Sequence, residues 1–258
     1  MTNIPLVDVT IFLSGTFAAA LVTGVGGFAF GIVAAGIWLH ALTPAQSSSL
    51  IVAYALLVQA YAVWKLRHSV RPDRIAPFIL GSAIGIPAGI AVLEWISPVH
   101  LRAGVGLLLI LFGIYNFTLV KPPELKGAGR KADAVIGVLN SILGCITGLA
   151  GILPTIWSAL RGWSRDEQRA VFQPTAVATF LMIMLAFGGT GVITYDTIRL
   201  FFVGLPALIV GSWSGWSLYG KLNEAAFRKV ILALLLVSGV SLLASSEASL
   251  VGASENGG

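Results

Sequence analysis

Thr23-Gly24-Val25-Gly26-Gly27 interrupts an apolar run over residues 9–39, and Thr147-Gly148-Leu149-Ala150-Gly151 interrupts another over 132–160. As one helix each run would be about 45 Å long, far more than the roughly 20 residues that cross a bilayer core. Glycine in mid-run weakens a helix and opens backbone conformations that other residues avoid. Pro154 follows the second break and suits the first turn of a helix, where a missing N–H costs nothing. Each run therefore reads as two half-helices of about 14 residues folded into a re-entrant hairpin. The competing reading is one long tilted helix with a glycine kink.

Six more apolar runs surround these two, at 45–64, 75–95, 101–120, 168–190, 198–219 and 226–245. Only 10% of the chain is charged and 57% is hydrophobic, against about 25% charged in a soluble chain. So few charges cannot coat a globule, which excludes a soluble enzyme, a disordered chain and a nucleic-acid module. The expected fold is an all-α polytopic membrane protein in contact with the lipid bilayer. Trp38, Trp64, Trp95 and Trp163 stand at run ends, where indole rings favour the membrane interface. A single cysteine and three histidines without ligand spacing leave no basis for a metal site, and no cofactor motif is present. Cys145 reads as a small packing residue.

The halves repeat. The two Gly-rich breaks lie 124 residues apart, Gln46 and Gln168 lie 122 apart, and Gly85 and Gly211 lie 126 apart. Such a nearly constant offset argues for two four-segment repeats, 1–120 and 132–245, joined by a basic linker at 121–131 and followed by a polar tail at 246–258. Repeats of this kind suggest a transporter with its site between the halves. Basic residues supply a separate test. Lys121, Lys126, Arg130 and Lys131 precede the fifth run, and Arg161, Arg165 and Arg169 follow it. Cytoplasmic loops collect Lys and Arg. Both flanks are cytoplasmic only if the fifth run enters and leaves on one side. By symmetry the first run is re-entrant from outside, and the repeats are inverted.

A hairpin tip inside the membrane presents free N–H groups and the positive end of a helix dipole. Two such tips form a cradle for an anion without a buried cation. The expected site comprises Thr23, Gly24, Gly26, Gly27 and Phe28 at the first break, and Thr147, Gly148, Gly151 and Pro154 at the second. Gln46 and Gln168, related by the repeat, and Gln173 complete it, with Gln173, the helix-kinking Pro174 and Thr175 reading as a wall of the cavity. Gln59, Asn116, Asn140, Thr175 and Thr179 are the other polar residues inside runs, and interhelical hydrogen bonds suit them equally. Ser47, Ser48 and Ser49 follow Thr43-Pro44, which reads as a cap and first turn. Gly81, Gly85 and Gly89 read as a packing stripe, and His40 and Glu94 as interfacial groups.

A Gly-rich first segment, a Pro-led second one (Thr43-Pro44-Ala45-Gln46-Ser47-Ser48-Ser49) and the same arrangement in the second half resemble the TauE/SafE family of sulfite exporters and organosulfonate permeases. The resemblance covers about 14–120 and 135–243. It implies an eight-segment secondary transporter, multi-pass in the bacterial inner membrane, for a small sulfur-containing anion. The expectation is alternating access and no enzymatic activity; the alternative is a passive anion or small-solute channel. A coupling proton or sodium ion and a homodimer are both compatible with the chain, and nucleic acid is not an expected partner.

Overall fold

The computed structural model describes residues 6–26, 30–66, 72–118, 129–218, 233, 236–244 and 246. Among these the regular structure is helical: α1 (Leu6–Gly26), α2 (Phe30–Trp38), α3 (Pro44–Leu66), α4 (Pro72–Trp95), α5 (Pro98–Thr118), α6 (Arg130–Thr147), α7 (Ile152–Leu160), α8 (Arg165–Thr190) and α9 (Tyr195–Leu218), with a further helical run at 236–244. Helix α4, the 170–190 portion of α8 and helix α9 are each long and apolar enough to cross a membrane. Leu80 and Ile84 on α4, Leu185 on α8, and Phe202, Ile209, Trp213 and Trp216 on α9 are exposed. Water penalises such faces and hydrocarbon does not. The protein is an all-α polytopic membrane protein.

The helices gather into two compact units, each drawing on both sequence halves. Residues Met1–Ser47, Ile96–Val120 and Tyr195–Gly258 form the first, and Ser48–Trp95 with Lys121–Thr194 the second. Within the first, α9 lies against α1 through glycines. A Cβ on Gly211 would come 2.6 Å from the Phe17 carbonyl oxygen, and one on Gly24 would come 2.7 Å from that of Ser212. Within the second, Gly81, Gly85 and Gly89 of α4 face Ala134, Val138 and Cys145 of α6, with no room for a Cβ. The glycine stripe is therefore a packing face, where the missing side chains let backbones approach.

Both interrupted runs double back. In a straight helix residues 12 and 38 would stand about 39 Å apart. Instead Trp38 Nε1 donates to the Phe12 carbonyl at 3.2 Å. In the second run Trp157 Nε1 donates to Asp133 Oδ1 at 2.7 Å, and Arg161 Nη1 lies 3.3 Å from the same oxygen. Each run is a helical hairpin.

The arms are not the equal half-helices of about 14 residues expected from the sequence. The first arms have 21 and 18 residues, and the second arms have nine each. An apolar run marks where hydrocarbon can lie, whereas a helix continues into polar residues. Arg130 and Lys131 extend α6 beyond its run, and the carboxylate of Asp133 stands in the first turn, where the helix dipole favours it. Trp38 also departs from the interface expected of it. It is fully buried, with its ring 5.1 Å from that of Phe12 and 6.0 Å from that of Phe30.

Candidate functional site

The second break is built by backbone geometry. Thr147 ends α6 with its hydroxyl donating to the Leu143 carbonyl at 2.7 Å and accepting the Leu149 N–H at 3.1 Å. Gly148 then turns the chain at φ 74°, its N–H bonded to the Gly144 carbonyl at 2.8 Å. This left-handed cap suits glycine. Bulk is barred as well, since a Cβ would lie 2.6 Å from Ile51 Cβ. Gly151 has φ 148°, which side-chain-bearing residues rarely adopt, and it precedes α7 without offering a side-chain cap. The Thr155 hydroxyl and N–H both donate to its carbonyl, at 2.7 and 3.1 Å. The Ile152 N–H reaches the Leu149 carbonyl only at 3.5 Å. The α7 N-terminus thus presents weakly satisfied donors and a positive dipole end.

Polar atoms without partners lie on the helices that meet at this turn. Asn140 is fully buried, and its Oδ1 accepts the Gly151 N–H at 2.9 Å. That bond fixes the amide orientation, so the other atom is the NH₂ donor, and it makes no hydrogen bond. A Cβ on Gly151 would lie 3.4 Å from Ala176 Cβ, and the neighbouring Thr175 hydroxyl is buried and unpaired. Gln173 Oε1 on the same helix is unpaired too. From α3, the Ser48 carbonyl would meet a Cβ on Gly148 at 3.2 Å, and the Ser48 and Ser49 hydroxyls are buried without partners. Each unmade bond of a buried group costs about 1–3 kcal/mol. Most of these groups can donate and none is charged, and they lie on α6 and on the α3 and α8 segments that pack against the turn. The arrangement suits a small acceptor-rich ligand.

Of the residues expected from the sequence, Thr147, Gly148 and Gly151 form the turn, and Pro154 is buried in the first turn of α7. Gln173 adds its unpaired oxygen. Gln46 is placed in a capping box at the start of α3: its Oε1 accepts the Thr43 N–H and hydroxyl at 3.2 Å, and its N–H donates to Thr43 Oγ1. Gln168 donates to the Trp163 carbonyl at 2.8 Å near the start of α8. In the first hairpin the Thr23 hydroxyl donates to the Ala19 carbonyl at 2.8 Å, Gly24 lies in α1 against α9, and Gly26 ends α1. Gly27 and Phe28 lie outside the described residues. Thr175 was expected with Gln173 and Pro174 as a wall of the cavity, Asn140 suited an interhelical hydrogen bond equally, and Ser48 and Ser49 were not assigned to the site. The legible signal for Asn140 was an amide isolated two turns before a glycine break.

Two α6 side chains seven residues apart, on one helical face, hold α7 at both ends. Asn140 takes the N-terminal Gly151, while Asp133 takes Trp157 and Arg161. Beyond α7, Ser164 and Glu167 form a capping box on α8, and Arg74 Nη1 reaches Glu167 Oε1 at 3.2 Å. The Ser164 N–H and hydroxyl, and then Arg74, hold the Glu167 carboxyl below the usual carboxylate range.

A family model described as Sulfite exporter TauE/SafE matches residues 11–242. No curated protein and no solved structure matches the chain.

Proposed function

This chain belongs to the sulfite exporter TauE/SafE family, a family of membrane transporters, and on that premise we propose that it carries a small sulfur-containing anion, sulfite or an organosulfonate, by alternating access. The observation that supports this reading is the second break: an α7 N-terminus without a side-chain cap, held by Asn140, whose amide keeps an unpaired donor, with unpaired Thr175, Ser48 and Ser49 hydroxyls on the segments packed against the turn. Neutral donors on a helix dipole bind an oxyanion without the desolvation cost of a buried lysine. They also release it, because no fixed countercharge holds it. The bacterial inner membrane, a coupling proton or sodium ion and a homodimer belong to the same proposal. The protein acts as a carrier and not as an enzyme.

The test is flux in proteoliposomes with sulfite, thiosulfate, sulfoacetate, sulfate and chloride, with and without an imposed proton gradient. Gradient-dependent movement of a sulfur oxyanion is expected, with little chloride flux. Gradient-independent chloride flux would identify a channel instead. Asn140→Asp keeps an acceptor for the Gly151 N–H but removes the amide donor, leaving a buried carboxyl that repels an oxyanion whenever it ionises. It should fold, and its apparent KM should rise at least about tenfold, the loss of one hydrogen bond to a charged ligand. A wild-type KM in this variant would remove Asn140 from the site.

A further inference from the structure

We propose that the cleft at the base of the second hairpin is a second binding site, taking a small oxyanion group that is either free in solution or carried on a lipid headgroup. The cleft has a volume of about 300 Å³ and is lined by Asp73, Arg74, Gly129, Arg130, Asp133, Arg161 and Trp163. Trp163 is fixed, packed against the buried cluster of Ile75, Phe78 and Val171. The Arg74 and Arg161 guanidinium carbons lie 5.2 and 5.4 Å from its ring centroid, so two cations are held beside one indole.

Their charges are differently engaged. Arg74 pairs with Glu167 at 3.2 Å and Arg161 with Asp133 at 3.3 Å. Asp133 is nearly buried and also accepts from Trp157, so its carboxylate is turned into the protein. Arg130 is exposed, and its Nη2 donates to the backbone carbonyl of Asp73 at 3.2 Å, a neutral acceptor rather than a carboxylate. The lining itself carries three guanidinium groups against two carboxylates, with Glu167 outside it. Planar guanidinium forks match the spacing of oxyanion oxygens. Arg130 supplies the fork not paired with a carboxylate, and Arg161, held on Asp133 at 3.3 Å, lines the same cleft.

This site differs in chemistry from the one at the break, which is uncharged. Asp133 and Asn140 share a face of α6, so the cleft lies at the foot of the arm that carries the break.

The test uses the full chain in neutral detergent, reading tryptophan fluorescence and the unfolding midpoint. One arm titrates sodium sulfite and sodium phosphate at fixed ionic strength. The other compares nanodiscs of phosphatidylglycerol with nanodiscs of phosphatidylcholine. A saturable response is expected in at least one arm, weakened about tenfold or more by Arg130→Gln and only a few-fold by Arg130→Lys. A response confined to the salts assigns a free oxyanion; one confined to phosphatidylglycerol assigns a headgroup. Gly151→Val should leave the response intact while abolishing flux, which separates this site from the transport site. No saturable response in either arm, or one that Arg130→Gln leaves unchanged, overturns the proposal.

Discussion

The two hairpins begin alike and are held differently. Thr23 and Thr147 make the same back-bond, at 2.8 and 2.7 Å, to the carbonyl four residues earlier. The next residue is glycine in both, yet α1 runs on through Gly24 to Gly26, whereas α6 stops and Gly148 turns the chain. The short arm of the first hairpin is fastened by an apolar clasp, Trp38 between Phe12 and Phe30. The second is fastened by Asp133 on Trp157 and Arg161, and by Asn140 on Gly151. The position 124 residues before Asn140 is Thr16, whose hydroxyl is spent on the Phe12 carbonyl of its own helix. A hydroxyl on one carbon cannot reach across a turn as a carboxamide can. One motif thus yields a packing glycine in one unit and a bent, polar-rimmed turn in the other.

The largest expected effect lies at Gly151. Valine there should reduce flux to background, because φ 148° costs a branched residue about 1–3 kcal/mol and the side chain would fill the open end of α7. Protein should still reach the membrane, which immunoblotting of membrane fractions checks; wild-type flux would sink the site. A different response is expected at Gly24. Alanine has no backbone conflict there but would collide with the Ser212 carbonyl, so it should lower stability by about 1–3 kcal/mol without changing KM. Thermal unfolding and flux on the same preparation separate the two, and a KM change with unchanged stability would return Gly24 to the site. The smallest effects belong to Gln46 and Gln168. Gln46→Ala should cost about 1 kcal/mol of capping, and Gln168→Ala a similar amount for its bond to Trp163, both with unchanged KM. A raised KM in either variant would place that side chain on the anion after all.

Much of this was legible before the fold. The scarcity of charge dictates a membrane protein, because twenty-seven charged side chains cannot hydrate a surface of this size. The glycine breaks dictate hairpins, because uninterrupted runs of that length exceed what one upright span needs. Gly81, Gly85 and Gly89 could be read as a packing stripe from their spacing alone. Arm length was not legible, because a helix ends on caps and not where hydrophobicity ends. Trp38 was misread for a related reason: a position near a run end says nothing of what packs over it once the chain doubles back.

Composition, periodicity and glycine placement are local properties of the chain, and they determined the class, the hairpins and the residues of the second turn. Which glycines bend the backbone and which only make room was decided by tertiary contacts. Gly24 and Gly148 have the same side chain and the same preceding threonine, and they differ in what lies against them: the backbone of α9 in one case, Ile51 and the Asn140-anchored turn in the other. The free donors at the break were equally out of reach of the sequence. Whether a buried amide or hydroxyl is satisfied depends on partners tens of residues away, and only the folded chain brings those partners close or leaves the group alone.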